Sequence, residues 1–179
     1  MSRRQSVLRQ PFREEGATLV ETAITLVVLF MFLIGIMEFG RFMYVYHFTS
    51  EVAREATRYA MVRGSTWGTT ACSGTQTMAC NATAANVTTY VQSLTPPAIT
   101  SSSWTTSTSC QQLATNNPVV ATCWPGTNAN GNQCYNSNGN NSPGCQVEVV
   151  VSMPFKFYLP FLPKTSYTVQ STSWMVISQ

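Results

Sequence analysis

Between Ala17 and Met37 the chain reads "ATLVETAITLVVLFMFLIGIM", with Glu21 the one charged side chain in 21 consecutive residues. No other feature restricts the fold as strongly. Wound as a helix at about 1.5 Å per residue, a segment of this length matches the roughly 30 Å hydrocarbon core of a bilayer. A secretory signal peptide has a shorter apolar core and a small-x-small cleavage site. Here the run is longer and gives way to the bulky, aromatic "MEFGRFMYVY". Residues 17–38 are therefore expected to form a transmembrane helix, with Phe39, Phe42, Tyr44 and Tyr46 at its outer interface.

Charge sets the orientation. Residues 1–15 carry Arg3, Arg4, Arg9 and Arg13 against Glu14 and Glu15, whereas the four basic and four acidic side chains of residues 16–63 cancel. Beyond them, 116 residues hold only Lys156, Lys164 and Glu148. The net charge of +3 thus comes mostly from the N-terminal tip. The positive-inside rule leaves that tip in the cytoplasm and exports the rest. No basic face suited to nucleic acid is present.

The helix does not end with the apolar run. In "YVYHFTSEVAREATRYAMVRG", Val45, Phe48, Val52, Ala56 and Tyr59 recur at three- and four-residue steps and make one apolar face. Glu51–Arg54 and Glu55–Arg58 lie mostly off that face at a spacing that favours ion pairing. Gly64 supplies a stop. Residues 39–63 are expected to continue the helix in amphipathic form, with Val45, Val52, Ala56 and Tyr59 packing on a domain formed by residues 64–179.

All six cysteines, Cys72, Cys80, Cys110, Cys123, Cys134 and Cys145, fall in that exported part. Their position and even number favour disulfides in an oxidising compartment. Metal binding is the weaker alternative: there is no Cys-x-x-Cys pair, and the one histidine, His47, lies elsewhere. Fifteen pairings are open to six cysteines; the short loops Cys72–Cys80 and Cys134–Cys145 are the favoured ones.

The exported part is rich in Ser, Thr, Asn and Gly. "NATAANVTTYVQSL" has helical spacing and stops at Pro96–Pro97, so a short second helix is expected over about 83–94. "AITSSSWTTSTSC" suits an edge strand, "CQVEVVVSM" and "SYTVQSTSWMVIS" read as strands, and the proline-rich "PFKFYLPFLP" reads as a crossing between them. Residues 125–144 form a loop by composition, and without any aspartate in the chain calcium binding there is disfavoured. The expected fold class is α+β: a long N-terminal helix packed on a small antiparallel sheet domain with disulfides.

Three stretches, "GATLVETAI" (16–24), "GIMEFGR" (35–41) and "AREATRYA" (53–60), stand in register without a gap. Together with the basic leader they resemble type IV prepilins, and most closely the TadE-like family of the tight-adherence (Flp) pilus system. A fainter likeness continues in the closing strands. The resemblance implies a leader, residues 1–16, cut by a prepilin peptidase between Gly16 and Ala17 on the cytoplasmic face. It also implies a pseudopilin anchored in the inner membrane with a periplasmic head. The partners it implies are other pilins and the membrane proteins that assemble the pilus.

That reading gives Glu21 a purpose. A charge in the bilayer interior is costly and usually has a partner or a job. Cutting after Gly16 would create an α-amino group on Ala17, one helical turn from Glu21, with a reference pKa of about 8. By family analogy the carboxylate pairs with the amine of a neighbouring subunit and sets the stagger between helices. The alternative is an uncleaved signal anchor in which Glu21 lies near the headgroups. No catalytic constellation accompanies these features: the many Ser and Thr residues lack a base to activate them, and phosphate-binding glycine motifs are absent. Neither enzyme activity, a cofactor nor a small-molecule substrate is expected. An anchored or tip-displayed adhesin is the competing function.

Overall fold

The structure is a computed structural model. It describes residues 12–67, 81–96, 99, 104–110, 117–124, 134, 142–158 and 166–178, with side chains from Gly16 onward. By internal contacts the chain divides into two compact units, residues 1–40 and 41–179.

One helix, α1 (Phe12–Val62), contributes to both units over 51 residues. In the first unit its apolar side chains face outward on every side: Leu19, Phe32 and Met37 are 70%, 67% and 69% exposed. The segment is long and apolar enough to cross a membrane. Its threonines fit that environment because they bond to their own helix. The Thr22 hydroxyl donates to the carbonyls of Thr18 and Leu19 at 2.9 and 3.0 Å, and the Thr25 hydroxyl to those of Glu21 and Thr22 at 3.0 and 2.9 Å. Hydroxyls satisfied in this way add little to the cost of placing a helix in lipid.

In the second unit α1 turns amphipathic and supplies one wall of a core. A second helix, α2 (Ala84–Leu94), begins at a capping box in which the Thr83 hydroxyl accepts from the Asn86 N–H and the Asn86 side chain accepts from the Thr83 N–H. Four strands follow: β1 (Thr105–Ser107), β2 (Val119–Cys123), β3 (Gln146–Lys156) and β4 (Ser166–Val176). They form one sheet in the order β1-β2-β3-β4. The β3–β4 hairpin pairs Gln146 with Val176 at one end and Lys156 with Ser166 at the other. Val147, Val149, Val151 and Met153 alternate along one face of β3 and join Val120 of β2. Against them lie Val52, Ala53, Ala56, Tyr59 and Ala60 of α1, and Val87 and Val91 of α2. Tyr59 and Tyr90 stack where the two helices meet, ring centroids 4.4 Å apart.

The α+β class is as expected, but the sheet is mixed rather than antiparallel, because β1 runs parallel to β2. The link between those strands, residues 108–118, is long enough to carry the chain back to the starting end. β2 was not among the expected strands. All but the last of its five residues are buried, so it shows the unbroken apolar pattern of a central strand rather than alternation. β3 also continues through Pro154 and into the segment read as a crossing. Pro154 lies past Ser152, where the pairing with β2 ends, and among the described residues one side of β3 then has no neighbouring strand. A proline's missing N–H is tolerated there.

Candidate functional site

The chemistry-bearing residues of the first unit sit near the start of the span. Gly16, Ala17 and Glu21 are all exposed on α1, and the Gly16–Ala17 bond lies inside the helix. Within Ala17–Met37 the polar side chains are Thr18, Glu21, Thr22 and Thr25. The threonines have partners. The Glu21 carboxylate has none among the described residues. It is thus the one polar group of this segment that the helix leaves to be satisfied from outside. Farther along, Gly35 opens a shallow apolar notch between Met31, Phe32, Ile36 and Phe39. A Cβ added at Gly35 would meet nothing within 4 Å, so the chain itself does not require glycine there.

In the second unit the amphipathic part of α1 lies against the sheet. Val52, Ala56 and Tyr59 are buried in the core, and Val45 and Phe48 pack partly buried against it. The Thr57 hydroxyl donates to the Ala53 carbonyl at 2.6 Å and also reaches the Ser173 carbonyl of β4 at 3.4 Å. Small side chains therefore bring the helix close to the sheet. On the outer face, Arg58 pairs with Glu55 at 3.3 Å. Exposed as it is, that pair adds little stability. The corresponding Glu51–Arg54 pair does not form.

Two disulfides are present among the described residues. Cys134–Cys145 spans 5.5 Å between Cα atoms, and both cysteines are buried in the core. Cys110–Cys123 spans 6.0 Å and is half-buried. This second pairing was not among the favoured ones; Cys110 follows β1 by three residues, and the parallel β1–β2 pairing sets it beside the end of β2, a proximity that loop length alone does not show. Cys72 and Cys80 lie outside the described residues. A Glu148 oxygen lies within 4.8 Å of the Cys110 and Cys123 sulfurs. With both sulfurs spent in the bridge there is no thiolate to bind a metal ion.

A further group went unread in the sequence. Arg41 and Phe42 of α1 meet Phe155, Phe157 and Tyr158 from the end of the β3–β4 hairpin, and Tyr167 joins the group through Phe157. Aromatic density in "GRFMYVY" and "PFKFYLPF" was the available signal. What the sequence withheld was that the two segments meet.

A family model described as TadE-like protein matches residues 16–58. The matched stretch opens at the Gly16–Ala17 junction and closes within α1, so the likeness lies wholly in the helix. No curated protein and no solved structure matches the chain.

Proposed function

We propose that this chain is a pseudopilin-like subunit of a tight-adherence pilus, held in the cytoplasmic membrane by α1 with residues 41–179 on the far side. The TadE-like match suggests involvement in that pilus system. The observation that carries the finer reading is the Glu21 carboxylate, without a partner among the described residues and the one charge on the exposed Ala17–Met37 segment.

An ionised carboxylate in lipid needs a countercharge. Cleavage by a prepilin peptidase between Gly16 and Ala17 supplies one. The new α-amino group, with a reference pKa of about 8, is largely protonated at neutral pH. It stands one turn, about 6 Å along the axis, from Glu21. Pairing between the amine of one subunit and Glu21 of the next fixes the axial offset of adjacent helices. The Gly35 notch gives a neighbouring helix room to approach. The role is structural, and no step in it is catalytic.

Two measurements test this. N-terminal sequencing after co-production with an active prepilin peptidase is expected to begin at Ala17; a mature chain that keeps its arginine leader removes the countercharge and the proposal with it. Glu21→Gln is expected to insert normally but to co-purify poorly with pilus components. Wild-type assembly by that variant rejects the register role.

A further inference from the structure

The aromatic group at the end of the β3–β4 hairpin is closely knit on its inner side and open on its outer side. Phe42 lies 5.5 Å from Phe155 and 6.3 Å from Phe157, which in turn stands 5.6 Å from Tyr167. The Arg41 guanidinium sits 4.8 Å above the Tyr158 ring. Phe155 is buried, yet Tyr158 is 74% exposed and Tyr167 47%. Lys156 is also exposed; no acidic residue occurs from Val149 to Gln179, and the nearest acid in sequence to Arg41 is Glu38, which is buried.

Position along the chain says what faces these rings. Phe42 is the fifth residue after Met37, where the apolar run ends. At about 1.5 Å per residue its Cα stands roughly 7.5 Å past that end. The headgroup layer on each side of a bilayer is about 5–7.5 Å thick. Tyrosines with an apolar body and a polar tip partition to that layer, and Arg and Lys there meet lipid phosphates.

We propose that the hairpin end is a second membrane contact: Tyr158 and Tyr167, flanked by Arg41 and Lys156, insert into the headgroup layer at the C-terminal end of the span, where the exposed Lys156 meets anionic lipid phosphate. The contact holds the hairpin end against the lipid surface. It depends on α1 crossing a bilayer, not on the pilus reading, so failure of either leaves the other standing.

The test uses the full chain in nanodiscs of phosphatidylethanolamine and phosphatidylglycerol. p-Acetylphenylalanine replaces Tyr158, or Trp174 as control, and carries a nitroxide, which leaves the disulfides untouched. Trp174 is 65% exposed and pairs with Glu148. At about 3.4 Å per residue, Glu148 lies roughly 27 Å along β3 from Lys156. Collisions with oxygen and with a water-soluble nickel chelate are then compared, after circular dichroism shows both labelled chains folded. The label at position 158 is expected to be several-fold less accessible to nickel than that at 174 and more accessible to oxygen. Equal nickel accessibility at the two positions overturns the proposal. So does dipolar broadening between 158 labels that grows with the protein-to-lipid ratio, which marks a second copy of the chain as the occupant.

Discussion

Replacing Ala56 with leucine tests how closely α1 approaches the sheet. Ala56 is fully buried between Ala53 and Ala60, themselves 0% and 1% exposed, and the neighbouring Thr57 hydroxyl reaches a β4 carbonyl at 3.4 Å. Leucine adds three carbons. Were there room for them, their burial would stabilise the fold by about 2.4 kcal/mol, at roughly 0.8 kcal/mol per carbon. Protein interiors hold no such spare volume, and overpacking costs about 1–3 kcal/mol. The two possibilities differ in sign, which makes the measurement decisive. Arg54→Leu is the control: it places the same side chain on the same helix at an exposed position, where changes stay within about 0.5 kcal/mol. Alanine and leucine are both strong helix formers, so propensity does not obscure the comparison. Urea unfolding of the full chain in detergent micelles, followed by fluorescence of the buried Trp104 and Trp124, supplies the readout. With an m value of about 2 kcal/mol/M, Ala56→Leu is expected to lower the midpoint by about 1 M, and Arg54→Leu to leave it nearly unchanged. An unchanged or raised midpoint for Ala56→Leu refutes the close approach.

The two disulfides separate in the same assay. Their sequence separations, 13 and 11, are nearly equal, so the chain-entropy contribution is about 3 kcal/mol for each. Cys134 and Cys145 also fill the core, and the pair Cys134→Ala/Cys145→Ala is expected to lower the midpoint more than Cys110→Ala/Cys123→Ala; the reverse order would contradict the burial argument. Thr83→Ala removes the N-cap of α2 and is expected to cost about 1 kcal/mol, visible as faster hydrogen exchange in α2 with β3 amides little changed.

Which elements could be read ahead of the structure follows from where their determinants lie. The long helix depends on local pattern, and so do α2, bounded by Thr83 and the Pro96–Pro97 pair, and the β3 and β4 strands with their β-prone runs. "VVATC" offered only a five-residue apolar run with neither alternation nor length to classify it, and its identity as β2 comes from being covered on both faces. The parallel β1–β2 pairing and the Cys110–Cys123 bridge depend on which strands come together, and no local pattern encodes that. Pro154 misled because a proline's effect depends on which strands flank it. At the candidate site, Glu21 stood out as a charge in an apolar run. The meeting of Arg41 and Phe42 with the hairpin end did not, because these residues lie more than a hundred positions apart in the chain.

Because the second half of α1 furnishes a wall of the globular part, the place at which the chain is cut decides whether that part survives. Proteolysis just after Val62 would separate Val52, Ala56 and Tyr59 from the sheet they cover and open Val120, Val149 and Val151 to water. A cut at that point cannot yield a working globular part, which keeps its interior only when residues 41–62 of the helix stay attached to it.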